Sequence, residues 1–141
     1  MSTIEEAITE LMLADDPIFE MIKERLYPQV IPEEKARPAC AYTLTETQHT
    51  SSRSGGSRLA RSVVAFTCEA ESYSSVKALA AAVRDLWADV GLRNVFDMQI
   101  FGAMILNSAD DYNETRQAHV QRVDVAIWHS ENLILTQGAT T

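Results

Sequence analysis

The stretch Ser72 to Gly91, SYSSVKALAAAVRDLWADVG, decides the fold. Val76, Leu79, Ala80, Val83, Leu86, Trp87 and Val90 recur at offsets of three, four and seven. A helix turns once per ~3.6 residues, so side chains spaced this way form one apolar stripe. Lys77, Arg84, Asp85 and Asp89 fall off the stripe. Ser72 suits the N-cap, where its hydroxyl accepts a free backbone N–H of the first turn. Gly91 suits the left-handed position that follows a helix. The stripe is too apolar to face water, so it needs a sheet beneath it.

Strand-like runs lie on both sides of this helix. Before it, Cys40, Tyr42 and Leu44 alternate with Ala41, Thr43 and Thr45 over Ala39 to Thr47. Over Ala60 to Ala70, Val64, Phe66 and Cys68 face one way, opposed by Arg61, Val63, Ala65, Thr67 and Glu69. Alternation of this kind marks half-buried strands. The Ser-, Gly- and Thr-rich segment Gln48 to Ser57, with Arg53 and Arg58 in or beside it, reads as a mobile loop joining the two strands into a hairpin. After the helix, Met98 to Leu106 reads as a third strand with both faces partly apolar. Gly102 marks a bulge or close approach in it. Asn107 to Gln117, around Asp110, Asp111 and Tyr112, reads as a polar acidic loop. His119 to His129 reads as the fourth strand, with Val123, Val125 and Ile127 on the core face and Arg122, Asp124, Ala126 and Trp128 opposite.

Two short helices precede this unit. Thr3 and Glu6 have capping-box spacing ahead of Ile4, Ala7, Ile8 and Leu11. Asp16 as cap and Pro17 in the first turn open a second helix carrying Ile18, Met21 and Ile22, which Tyr27-Pro28 ends. Gln29 to Pro38 reads as a surface connection. The expected architecture is an α+β layer: a four-stranded antiparallel sheet, β-β-α-β-β after two N-terminal helices, with helices packed on one face. Residues 1–131 read as one domain and 132–141 as a C-terminal tail, in which the short apolar run Leu133, Ile134 and Leu135 is followed by a small polar end, Thr136 to Thr141.

Composition narrows the function. With 141 residues and 46% hydrophobic content, the chain can bury one real core. Its formal net charge of −8 gives no footprint for binding nucleic acid. No signal-peptide pattern opens the chain, and no apolar run approaches the ~20 residues of a membrane span, so it reads as soluble and cytoplasmic at synthesis. Cys40 and Cys68 read as reduced, buried hydrophobes.

No catalytic constellation stands out. His49 sits in the expected loop. His119 and His129 share a strand face but lie about 33 Å apart, too far to ligate one metal. Ser54 to Ser57 lacks the lysine and following helix of a phosphate loop. Asp110, Asp111 and Glu114 match no calcium-loop spacing. No cofactor and no metal are expected. The second sheet face is more telling. It mixes Val63, Ala65, Ala126 and Trp128 with Thr43, Thr45, Thr67, Arg122 and Asp124, as protein interfaces do. Trp128 reads either as packed under the C-terminal segment or as an interface anchor.

The order of features resembles one family. A first helix, then Asp16-Pro17 opening a second, then Leu26-Tyr27-Pro28, are followed by Pro38 entering a strand with Tyr42. A Ser/Gly loop leads to a strand with Phe66, then the Tyr73–Trp87 helix, and Val125-Ala126-Ile127-Trp128-His129 closes the pattern. From Ile4 to Glu131 this is similar to the tail-completion, or tail-terminator, proteins of long-tailed bacteriophages, prophages and gene-transfer agents. The resemblance implies a non-enzymatic virion protein, assembled in the host cytoplasm and resident in the tail or neck. It implies a hexameric ring that caps the tail tube, ends its polymerisation and meets the head connector. The implied partners are copies of itself, tail-tube protein and a head-completion protein, with DNA passing through the lumen unbound and no membrane involved. The serine-rich first loop and longer polar tail depart from the family. The alternatives are a head-closure or neck adaptor of the same particle, and a small cytoplasmic α+β enzyme or ligand-binding module. Candidate contact residues are Arg53, Arg58, Arg61, Asp110, Asp111, Tyr112, Arg122, Trp128, Leu133, Ile134 and Leu135.

Overall fold

Helix α1 (Ile4–Ala14) begins on the expected capping box: the Glu6 amide donates to Thr3 Oγ1 at 3.2 Å, and the Thr3 amide donates to Glu6 Oε1 at 2.8 Å. The computed structural model describes residues 3–32, 36–51, 58–115 and 117–130. Helix α2 (Asp16–Ile22) is capped by Asp15, not by Asp16; the Ile18 amide donates to Asp15 Oδ2 at 3.3 Å. Asp15 can cap because its own backbone is extended, which leaves Asp16 and Pro17 to form the first turn. Helix α3 (Tyr73–Ala88) starts at Ser72, whose hydroxyl accepts the Ser75 amide at 3.2 Å. Gly91 takes φ +58°, three residues past the last helical one.

The strands correct the expected sheet. Among the described residues there are six: β1 (Leu26–Pro28), β2 (Ala39–Ser51), β3 (Arg58–Ala70), β4 (Arg93–Val95), β5 (Met98–Asn113) and β6 (Ala118–Ser130). They form one mixed sheet in the order β1-β2-β3-β6-β5-β4, curled into a half-barrel, and not a four-stranded antiparallel sheet. β1 pairs with β2 in parallel, Leu26 opposite Cys40, and this contact makes the sheet mixed. β1 holds Pro28, which has no N–H for a ladder, so the strand lies where proline is tolerated, at the sheet's edge. Both added strands are three residues long, too short to show an alternating pattern.

The long strands also outrun their expected ends. β2 extends through Gln48 and His49, which pair with Arg61 and Ala60. β5 extends through Asp110, Asp111 and Tyr112, which pair with Gln121, Val120 and His119; the expected acidic loop is therefore strand. Strand there tolerates polar residues because both faces of this outer ribbon are open to water. The register shifts between Ile100 and Gly102, where a bulge was expected, and again between Ile105 and Asn107.

Helix-facing strand residues and helix stripes share one core. Ile8, Met12, Ile18, Ile22, Val64, Phe66, Leu79, Trp87, Ile100 and Ile127 are fully buried. Trp87 stacks on Phe66 with ring centroids 5.8 Å apart. A second, smaller cluster lies on the other sheet face, where Ile31 and Tyr27 pack on Ala39 and Ala41. Beside it, Arg37 Nε donates to the buried Glu69 carboxylate at 3.0 Å. Ile31 and Arg37, from the stretch expected to be a surface connection, are thus part of the packing.

Candidate assembly surface

Strand register builds the face that the helices leave uncovered. Four residues cross the sheet in each row. Gln48, Arg61, Trp128 and Gly102 form one; Glu46, Val63, Ala126 and Met104 form the next. Thr43, Ala65, Asp124 and Asn107 follow, then Ala41, Thr67, Arg122 and Ala109. Ala65 and Ala126 are buried at the floor of this face. Around them stand half-buried Trp128 and Val63 and exposed Arg122.

The polar groups on the face are tied to one another. The Arg61 guanidinium lies 5.6 Å from the centre of the Trp128 ring, a cation–π contact. The same guanidinium is 4.0 Å from the Glu46 carboxylate, which also accepts a hydrogen bond from Gln48 Nε2 at 2.8 Å. Arg122 Nε donates to Asp124 Oδ1 at 2.8 Å. These contacts tie the Trp128 ring and its charged neighbours to one another on this face.

The free edge of β5 continues this face. β4 pairs only with Met98 to Ile100, and among the described residues no strand lies beyond β5 after that point. Phe101, Met104 and Leu106 stand there with 44%, 50% and 41% of their surface exposed. Unpaired strand N–H and C=O groups flanked by exposed apolar side chains form a template for a further chain. Sequence reasoning noted that both faces of this strand are partly apolar but did not single out these three residues. The signal was Gly102 among alternating large apolar residues; the bulges that turn Phe101 and Leu106 outward were needed to read it.

The remaining candidates divide. Arg61, Arg122, Trp128 and Asp111 belong to the uncovered face. Asp110 and Tyr112 lie on the opposite one, beside the start of α3. There Tyr73 Oη donates to Asp110 Oδ2 at 3.0 Å, and Lys77 Nζ is 3.1 Å from Asp110 Oδ1. These hydrogen bonds, Lys77 foremost, hold the Asp110 carboxyl below its ordinary pKa, and Asp110 raises that of Lys77. Tyr112 meets the His119 ring edge-on at 4.9 Å, and Tyr73 meets it at 6.0 Å. Arg58 opens β3 opposite Ser51. Arg53, Leu133, Ile134, Leu135 and the Ser54–Ser57 loop tip lie outside the described residues.

Among the described residues, a buried serine and histidine are hydrogen-bonded to each other. His129 Nε2 is 2.7 Å from Ser62 Oγ, and its Nδ1 is 2.8 Å from the Ser130 carbonyl. The carbonyl can only accept, so Nδ1 carries a proton, and in the neutral ring Nε2 accepts from Ser62. Ser62 has no exposed surface and His129 has 4%, which leaves the hydroxyl no route to a substrate. Among the described residues, no group of three or more His, Cys, Asp or Glu side chains is placed to hold a metal ion. No helix there is long and apolar enough to cross a membrane.

No protein-family model matches the chain, and no curated protein sequence does. Among solved structures it superposes on a chain of a native gene transfer agent virion particle. The TM-score is 0.70 at 17% identity, over 91% of this chain and 95% of that one. At that identity the likeness establishes a shared fold across nearly the whole length of both chains.

Proposed function

We propose that this chain is a structural protein of a phage-like virion and, within it, the tail terminator. In this role it forms a ring that caps the tail tube, ends tube polymerisation and meets the head connector. The observation that carries the reading is the fold shared, nearly end to end, with a chain of a gene transfer agent virion. The order of motifs from the Asp16-Pro17 helix opening to the Val125–His129 strand supports the finer role.

Two features of the geometry support the ring reading. Head-to-tail contacts close into a ring only if each subunit carries two different complementary surfaces. The Trp128–Arg61 centre of the uncovered face and the free β5 edge, where Phe101 and Leu106 stand exposed, are the two regions we assign to these contacts. Six copies are the expected number. A net charge of −8 suits a lumen through which DNA slides, because each lysine or arginine on a phosphate adds salt-dependent affinity. No residue is given a catalytic role.

The test is polymerisation of purified tail-tube protein with and without this chain, with tube lengths measured by electron microscopy. Shorter tubes with a narrow length distribution, and this chain at their ends, are expected. Unchanged tubes with the chain left in the supernatant would refute the terminator role. Binding to the head connector alone would move the chain to the neck.

A further inference from the structure

Cys40 and Cys68 face each other across β2 and β3, with their sulfurs 3.9 Å apart. The ladder on the other side of β2 fixes what kind of pair they are. The Cys40 amide donates to the Arg25 carbonyl at 3.0 Å, and the Tyr42 carbonyl accepts from Gln29 at 2.8 Å. In a strand the N–H and C=O of one residue point the same way, so at Cys40 both point toward β1 and away from β3. Cys40 and Cys68 are therefore a non-hydrogen-bonded antiparallel pair. In such pairs the Cα atoms stand about 4.5 Å apart and the side chains approach most closely. That spacing falls at the short end of the range that a disulfide spans.

We propose that Cys40 and Cys68 form a latent cross-strand disulfide site, closed by exchange with a small-molecule disulfide of the glutathione class, and that closure pins β2 to β3. One thiolate attacks the small disulfide, giving a mixed disulfide and releasing one small thiol. The second cysteine then attacks the protein-side sulfur and releases the other. The protein loses two electrons and two protons, and the two released thiols carry both. Closing the bond requires the sulfurs to move from 3.9 Å to about 2.05 Å by side-chain rotation.

Burial sets the rate of this reaction. Both side chains have no exposed surface. The hydrogen bond shared with Cys68, and after it burial, raises the Cys40 thiol well above its ordinary value, so the nucleophilic thiolate is scarce in the closed fold. Exchange therefore runs through opening of β2, the strand that carries the sheet's β1 edge. The short spacing gives a compressed bridge, which a dithiol reopens readily. The bridge ties residues 28 apart in sequence, a loop long enough for closure to restrict the unfolded chain strongly.

The experiment incubates the full chain with oxidised glutathione across sub-denaturing urea, followed by intact-mass and peptide mapping. The expected product is a monomer lighter by two hydrogen atoms, with the Cys40 and Cys68 peptides linked, formed faster as urea rises. Its thermal midpoint should rise by about 10 °C and return on treatment with a dithiol. The Cys40→Ser variant should instead stop at a mixed disulfide on Cys68. A wild-type chain that keeps glutathione adducts, links to a second chain, stays reduced in urea that opens β2, or loses stability on bridging would overturn the proposal.

Discussion

Replacing Trp87 with alanine should reveal whether α3 holds the sheet as its stripe implies. Trp87 has no exposed surface and stacks on Phe66 at 5.8 Å. Emptying such a site costs about 3–5 kcal/mol. The lost ring pair adds about 0.5–1.5 kcal/mol. One contribution runs the other way. The Trp87 indole N–H finds no hydrogen-bond partner among the described residues, and removing a buried unpaired donor returns about 1–3 kcal/mol. The net expectation for Trp87→Ala is a loss of about 3 kcal/mol, a large share of the 5–15 kcal/mol that typically holds a domain. Trp87→Phe keeps a ring against Phe66 and discards the unpaired N–H, so it should cost about 1 kcal/mol or less. Urea unfolding followed by far-ultraviolet circular dichroism measures both, provided the slope with denaturant is unchanged. A loss below about 0.5 kcal/mol for Trp87→Ala would refute the packing of α3 on the sheet. Equal losses for the two variants would show that ring packing is not what the site supplies.

Thr3→Ala removes the hydroxyl that accepts the Glu6 amide and should cost about 1 kcal/mol in the same assay. Asp110 has a folded-state pKa below its unfolded one, so its stabilisation is complete above the ordinary carboxylate range and fades as pH falls through the lowered value. Asp110→Asn should abolish that part of the pH dependence, and an Asp110 carboxyl that titrates at its ordinary value by NMR would contradict the Lys77 and Tyr73 contacts. Phe101→Asp combined with Met104→Asp should leave unfolding nearly unchanged, because both side chains already stand about half exposed. The same variant should abolish ring formation by light scattering in the presence of tube ends.

The helices were legible because their signals are local. A capping box at Thr3, a stripe from Val76 to Val90 and a cap at Ser72 each lie within a few residues. The long strands were legible where one face is buried, as at Val64–Cys68 and Val123–Ile127. Legibility failed where alternation fails. β1 and β4 are three residues each and owe their existence to the neighbours they pair with. Asp110 to Tyr112 are polar on both faces, so their pairing with β6 leaves no mark on composition. Within the candidate surface, Trp128 and Arg122 could be assigned to one face by period two, and Arg61 by the same rule. Asp110 could not, because the shift between Ile105 and Asn107 reverses the faces of everything after it. Phe101, Met104 and Leu106 escaped notice because an edge strand is defined by the strand it lacks.

Hydrogen exchange on tube-bound protein tests the proposed assembly most directly. The β5 amides between Phe101 and Leu106 that point away from β6 lie on the free edge and should exchange readily in the isolated chain. On tail tubes they should become strongly protected, together with the Arg61–Val63 and Ala126–Trp128 segments, while α3 changes little. Unaltered exchange at β5 in a chain shown to be bound to tubes would contradict the account.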